Sequence, residues 1–346
     1  MCQLAAYVGD RPIAPLLLKS LELQESIFGA QATGLGVVNE SGLHIEKDYG
    51  HVKRVMKTTQ ISSLEGTAGI AHSRYNFTAR DDPRYNTKEM AHPFLNDDGT
   101  LALMHNGGIN NYKEHWNRLK GTHDFRSHSL EVDAITDSEV AVHMLSDYLL
   151  DSLSMENALR VVSSQCTGSF LFGCIKEGES DTVWIANWHQ PCVVAIGDNE
   201  SMFCSSFSGL EHIRGELERF FEPPKNSLIK LMRGRVEISP LNVEKKAPFL
   251  QLDRNELGRQ MISLLQSKGR LDIVQLARAL NPNGWAKALG VPTDVQSNYV
   301  KSGVSHVNRY VEVLNMLKSE GLIVEEIVTQ LEGGVEDTPR LSYSLP

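Results

Sequence analysis

The sequence has no apolar run long enough to cross a bilayer; stretches such as "SFLFGCI" are strand-length. No hydrophobic region stands ahead of Cys2, so neither a signal peptide nor a lipidated cysteine is expected. Cysteine is sparse and scattered. Cys2, Cys166, Cys174, Cys192 and Cys204 show no C-x-x-C spacing and no matching His pair, which argues against a cysteine zinc site, and no metal is expected. The last four sit in apolar, strand-like stretches and read as small core residues. An odd cysteine count with a reactive candidate at the terminus suits a reducing cytoplasm. Positive charge is in deficit too, with 34 Lys and Arg against 43 Asp and Glu, for a net −9. Residues 254–346 hold ten of each sign, so the acidic excess lies wholly in residues 1–253. Neither part has the basic surplus of a strong nucleic-acid binder. Internal repeats and low-complexity tracts are also missing, and no Gly-rich phosphate loop marks the last 93 residues. No cofactor is expected.

What is present is an ordinary soluble composition over 346 residues, enough for two domains. From the start to about Ser239, short β-rich runs alternate with Gly/Asn/Asp turns. Strands are predicted at 3–8, 34–38, 69–72, 101–105, 170–175, 182–186, 192–196, 201–205, 228–232 and 235–238. Amphipathic helices are predicted at 16–28 and 138–150, the second with Asp137 as its N-cap, and a third helix follows at 157–164. Two sheets with helices on their outer faces would absorb this pattern. After Pro248 the texture changes to helices at 254–267, 273–280 and 304–319, the last with a Val304, Val307, Val311, Leu314, Leu317 stripe. A strand, a "GGVEDTP" turn and a second strand follow, the layout of a winged helix. Segment 281–303 is the least legible part.

Cys2 directly follows Met1. Removal of Met1 would leave a thiol and a free α-amine on one residue, nucleophile and base together. Their ordinary pKa values are about 8.5 and about 7.7–8.0, so the amine can relay the thiol's proton near neutral pH. Three motifs follow. "GIAHSRYNFTAR" (69–80) is a strand running out into Arg74. "LALMHNGGINNY" (101–112) is a strand ending in Asn106-Gly107, and "AITDSEVAVHML" (134–145) opens a helix at Asp137. A strand-end Arg offers a planar fork to a carboxylate, and an Asp can pair with an ammonium, so Arg74 and Asp137 describe a clamp for an α-amino acid. Asn106 and Gly107 can supply a side-chain amide N–H and a backbone N–H at one point, an oxyanion hole worth about 3–4 kcal/mol per donor. Taken singly, Arg74 reads as a salt-bridge partner, Asn106-Gly107 as a hairpin turn and Asp137 as a cap. Their joint appearance points to chemistry.

With these motifs the chain resembles the class II glutamine amidotransferases, whose glutaminase domains are N-terminal-nucleophile hydrolases, and is most similar to the glutaminase domain of glucosamine-6-phosphate synthase. The resemblance covers about residues 2–240 and includes "TGLGVV", "AHPF", "HNGGINNYKE", "TDSEV", "TGSFLFG" and "MFCSSFSGL". It implies an α+β fold, a four-layer αββα sandwich over 2–245; the smaller winged-helix-like module over 254–346 is read from the helix and hairpin pattern alone. It implies Cys2 as nucleophile with its α-amine as base, and Asn106 and Gly107 as oxyanion hole. Arg74 would hold the α-carboxylate of L-glutamine and Asp137 its α-ammonium, with Tyr75 lining the pocket. His92, in the "HP" segment, is a weaker candidate for touching substrate. Three departures bear on pocket shape: Gln3 where the family has Gly, Phe28 ahead of Gly29 where relatives carry Arg, and Asn76-Phe77-Thr78-Ala79 after the "RY" pair.

Relatives join the glutaminase to a synthase domain, for which 93 residues are too few. The expectation is a glutaminase delivering ammonia to a synthase subunit on another chain, cytoplasmic and homo-oligomeric. The rival from another class is a glutamine-responsive regulator that binds DNA through helix 304–319, using Lys301, His306, Arg309 and Lys318. The module's zero net charge and Glu325-Glu326 disfavour it; protein docking fits better. A third reading is a different amide hydrolase of the same fold.

Overall fold

The computed structural model describes residues 2–245, 253–280, 292, 294 and 307–346. It divides into two units, Met1–Lys245 with Leu331–Thr338, and Lys246–Gln330 with Pro339–Pro346. Among the described residues no helix is long and apolar enough to cross a membrane.

Two antiparallel sheets build the first unit. One has β1 (Gln3–Val8), β2 (Ala32–Asn39), β3 (Gly42–Tyr49), β4 (Ala68–Arg74), β9 (Val193–Ile196), β10 (Ser201–Cys204) and β11 (Arg219–Phe221), in the order β11-β9-β10-β1-β4-β2-β3. The other has β5 (Phe94–Leu95), β6 (Leu101–Ile109), β7 (Gly168–Lys176), β8 (Val183–Trp188), β12 (Asn226–Met232) and β13 (Arg235–Pro240), in the order β13-β12-β8-β7-β6-β5. β1 therefore lies inside its sheet, flanked by β4 and β10.

Successive side chains of a strand point to opposite faces, and β1 is apolar on both. Leu4, Ala6 and Val8 join a core with Met104 of β6, Leu171 of β7 and Ile185 of β8, which lies between the sheets. Ala5 and Tyr7 turn the other way, onto Leu17 and Leu21 of α1 (Ile13–Gln24) and Val55 of α2 (Val52–Thr58). On the far side of the second sheet, α5 (Asp137–Leu150) packs on β6 and α6 (Met155–Gln165) on β8. The unit is α+β, with helices outside two facing sheets. Cys166, Cys174, Cys192 and Cys204 are all buried and free.

Two local expectations change. Asp137 is not the cap of α5. Thr136 occupies that position, its Oγ1 accepting from the Glu139 N–H, and Asp137 is the first helical residue. The hydroxyl one position earlier meets the free N–H, which leaves the Asp137 carboxylate for other partners. The "GGVEDTP" turn shrinks to Gly333 and Gly334, both with positive φ (57° and 77°), as a two-residue hairpin requires; the strand resumes at Val335.

The second unit holds α7 (Arg254–Lys268), α8 (Ile273–Leu280), the helix Val307–Ser319 and a sheet in which β16 (Val335–Ser344) lies between β14 (Leu271–Asp272) and β15 (Val324–Glu332). Asp253 caps α7 by accepting from the Asn255 and Glu256 N–H groups. The last helix buries Tyr310, Val313, Leu314 and Leu317, whereas Val311 is half-buried, so its inner face is rotated from the expected stripe. Gly258 permits this: a Cβ there would meet Leu317 at 3.2 Å and Val313 at 3.7 Å. Val304, Lys301 and His306 lie outside the described residues, as do segment 281–303 except Pro292 and Asp294, and the side chains of Val307 and Arg309.

Candidate active site

Cys2 immediately precedes β1. Pairing of Gln3 with Ser73 across β1 and β4 brings the end of β4, Arg74, and the next residue, Tyr75, alongside it. The Tyr75 N–H donates to Cys2 Sγ at 3.4 Å, and the thiol donates to Tyr75 O at 3.6 Å. The Cys2 nitrogen donates to Asn106 Oδ1 at 2.8 Å. It is a peptide N–H while Met1 is attached, and the same atom would be an α-amine once Met1 is gone. Burial pushes the Cys2 thiol pKa up, against the Tyr75 N–H and the Arg74 charge, which favour thiolate. A thiol held protonated needs a base within reach, and the nitrogen fixed by Asn106 belongs to the same residue.

The Asn106 amide is oriented by a relay. Its Nδ2 donates to Gln190 Oε1 at 3.3 Å, and Gln190 Nε2 donates to Ser169 Oγ at 3.0 Å. Nδ2 carries two hydrogens, so one stays available for an incoming oxygen. Beside it, Gly107 adopts φ +118°, and a Cβ there would stand 2.0 Å from Ser169 O. Only glycine fits, so this backbone N–H cannot be re-aimed by substitution.

Cys2, Arg74, Tyr75, His92, His105, Gly107 and Asp137 line one cavity of about 300 Å³, at the small end of ligand pockets. Arg74 is 4% exposed. Its Nη1 donates to Tyr85 O at 3.0 Å and reaches Asn86 Oδ1 at 3.5 Å, and it forms no ion pair with a described residue. Burial lowers its pKa to about 10, so it stays charged at neutral pH. A buried guanidinium served by neutral oxygens is matched to an anion from outside the chain. Burial alone would raise the Asp137 pKa, but His105 at 3.6 Å, the Ile109 N–H at 2.9 Å and Ser138 Oγ at 3.3 Å lower it. The cavity thus presents a cation, a carboxylate and a thiol on one wall-lining set of residues.

Several residues here make contacts that their motifs do not foretell. His92 Nε2 and His105 Nδ1 share Ser138 Oγ at 2.8 and 2.9 Å, and His72 stacks on His92 at 3.8 Å between centroids. Burial pushes His72 down to about 3 and His92 well below its ordinary value, which keeps both neutral. The Phe28 and Phe77 departures form a cluster with Tyr75, at 6.2 and 5.3 Å between centroids, and Phe77 is 42% exposed. Gln3 is buried within β1. Asn76 caps α3 (Phe77–Asp81) by accepting from the Thr78 and Ala79 N–H groups. The tip 331–338 braces the same wall: Gln31 Nε2 donates to Glu332 Oε1 at 2.8 Å, Arg80 pairs with Glu332 at 3.7 Å, and Asn86 Nδ2 donates to Gly333 O at 3.0 Å. The paired glycines signal a hairpin, but nothing in the local pattern tells what its tip touches.

A family model described as a glutamine amidotransferase domain matches residues 82–212. Among curated proteins, glutamine–fructose-6-phosphate aminotransferase (isomerizing) of Staphylococcus epidermidis is 28% identical over 241 residues, which are 70% of this chain and 37% of that protein. The Geobacillus kaustophilus protein of the same description is 28% identical over 262 residues, 75% of this chain and 41% of its own. The chain therefore spans about two fifths of the length of these relatives. Among solved structures, glutamine phosphoribosylpyrophosphate amidotransferase from B. subtilis, complexed with ADP and GMP, aligns with TM-score 0.57 at 16% identity, over 84% of this chain and 65% of that one. A structure described as the allosteric regulatory enzyme of purine biosynthesis aligns with TM-score 0.58 at 16% identity, over 84% and 64%. At that identity the likeness speaks for the fold.

Proposed function

Since the chain belongs to the class II glutamine amidotransferases, of the N-terminal-nucleophile hydrolase type, we propose that it hydrolyses the side-chain amide of L-glutamine after Met1 is removed, and passes the ammonia to a synthase on another chain. The observation that carries this reading is the 2.8 Å contact between the Cys2 nitrogen and Asn106 Oδ1, at a cavity that also holds Arg74 and Asp137.

In this reading Arg74 binds the glutamine α-carboxylate and Asp137 its α-ammonium, while Tyr75 closes one wall. The α-amine takes the thiol proton as Sγ bonds to the amide carbon. The oxyanion that forms is met by Asn106 Nδ2 and the Gly107 N–H. Collapse breaks the carbon–nitrogen bond, the proton on the α-amine passes to the leaving nitrogen, and ammonia departs from a glutamyl thioester. Water then adds with the same amine as base and releases glutamate and the free thiol.

The winged-helix-like second unit is assigned to protein docking. Of the cations that a DNA-binding reading requires, Lys318 is paired with Glu325, and the neighbouring Glu326 pairs with Arg270 at 2.7 Å. Positive charge tied up in this way does not track a phosphate backbone.

The test is glutamate release from glutamine by the purified chain, alongside the mass of its N-terminus. Active protein should begin at Cys2, and Cys2→Ala should keep its fold while losing turnover by ~10³-fold or more. Activity from protein that retains Met1 would refute the mechanism.

A further inference from the structure

A second cluster of coordinating side chains lies away from the cavity. One ligand atom each from Asp97, His123 and His143 lies within 4.8 Å of the others. Asp97 sits in the turn after β5, His123 in the turn after α4 (Tyr112–Leu119), and His143 on α5. His123 Nδ1 lies 2.6 Å and His143 Nδ1 3.8 Å from Asp97 Oδ2. The remaining Asp97 oxygen accepts from the Asp124 N–H at 3.0 Å.

A solvated ion-pair network would explain His123, which sits between Asp97 and Asp147, with Nε2 3.0 Å from Asp147 Oδ1. It does not explain His143. That side chain is 1% exposed, Phe125 packs edge-on against its ring at 4.7 Å, and beyond a loose approach to the Asp124 backbone neither ring nitrogen has a hydrogen bond of acceptable geometry. A buried polar group left unsatisfied is costly, and rare without an unseen partner.

We propose that Asp97, His123 and His143 bind one divalent transition-metal ion of the zinc class through Asp97 Oδ2 and the two Nδ1 atoms. Zinc bonds of about 2.0–2.2 Å put tetrahedral ligand atoms about 3.3–3.6 Å apart, and the observed 2.6 and 3.8 Å bracket that spacing. Two imidazoles and a carboxylate suit zinc rather than calcium or magnesium. Asp147, one helical turn beyond His143, supplies what a metal-bound histidine usually has, a carboxylate on its other ring nitrogen. Asp97 and Asp147 are 42% and 46% exposed, which gives the ion a route in from solvent. The ion would staple α5 to the turns around residues 97 and 123, and α5 begins at Asp137. The site is structural in this role and independent of glutamine turnover.

The experiment is titration of the metal-free full chain with zinc chloride, in a Cys2→Ser background so that the terminal thiol does not compete, read by calorimetry and by bound metal after gel filtration. One equivalent should bind at micromolar or lower concentration and raise the melting temperature, with magnesium chloride giving no such shift. Asp97→Asn and His143→Gln should each abolish that equivalent. Asp147→Asn should weaken it by ~10–100-fold. Cobalt(II) in place of zinc should give the visible absorption of a four-coordinate site. Failure to retain zinc at 100-fold excess would overturn the proposal. So would an unchanged equivalent in Asp97→Asn, whose exposed side chain can be replaced without disturbing a core.

Discussion

Glu332 meets Arg80 at 3.7 Å with both side chains nearly sealed from solvent, 1% and 9% exposed. The two stand about 250 residues apart in sequence, yet the pair lies next to the wall of the Cys2 cavity. Arg80 is in α3, and the segment between Tyr75 and Asn86 supplies Tyr85 O and Asn86 Oδ1 to the Arg74 guanidinium. Removing one partner of a buried pair strands the other charge, at about 3–5 kcal/mol. Glu332→Ala should therefore lower the unfolding midpoint of the first unit and raise KM for glutamine more than it lowers kcat. An unchanged KM in steady-state kinetics would show that the tip 331–338 does not support the cavity wall.

In the proposed mechanism Asn106 serves twice, holding the Cys2 nitrogen with its oxygen and offering an N–H to the developing oxyanion. Asn106→Ala should reduce kcat by ~10²–10³-fold from the oxyanion contact alone, and further by loss of the amine's orientation. Asn106→Asp keeps the acceptor and removes the donor, so kinetics of the two variants separate the roles. Equal losses would mean that only the N–H matters.

The proposed clamp of Arg74 and Asp137 predicts a different signature. Each charge-assisted contact contributes about 1.5–3 kcal/mol, which corresponds to ~10–150-fold in kcat/KM. Asp137→Asn should fail to distinguish glutamine from an analogue lacking the α-amine, and Arg74→Gln from one lacking the α-carboxylate. A substrate series read by kcat/KM checks both. If Arg74→Gln leaves glutamine turnover intact, the substrate is another amide.

The α+β character was legible because β1, β4, β6 and β7 are short, apolar and bounded by turn residues, and α5 and α6 have a clear helical period. The cavity residues Cys2, Arg74, Gly107 and Asp137 were legible because each sits at the end of such an element, where the element's direction fixes the side chain. Asp137 was misread as a cap since Thr136 offers the same acceptor one residue earlier, and period alone cannot choose between neighbours. Gln31, Asn86, Gln190 and Glu332 were invisible because their partners are remote in sequence, and each is an ordinary polar residue until the chain folds. His72 and His92 stand in the segments "GIAHSRYNFTAR" and "AHPF", but neither segment tells that the two rings are buried and stacked, because burial is a property of the fold.

These two histidines give a stability prediction with a definite sign. Burial lowers the His72 pKa to about 3 and holds His92 well below its ordinary value, while an unfolded chain titrates its histidines near 6.5. Between those limits the unfolded state takes up protons that the folded state refuses. Their contribution to stability is complete above about pH 6.5 and is lost as the pH falls through the range below it, by up to about 1.4 kcal/mol per pH unit for each ring. The loss begins above the ordinary carboxylate range, so it should appear before the Asp and Glu side chains titrate. Urea unfolding between pH 7.5 and 4.5 should show the midpoint falling from about pH 6.5 downward, with a shallower fall in a folded His72→Gln variant. A midpoint constant down to pH 4.5 would mean that His72 and His92 are hydrated or paired when charged, and the neutral stack beside the cavity would have to be abandoned.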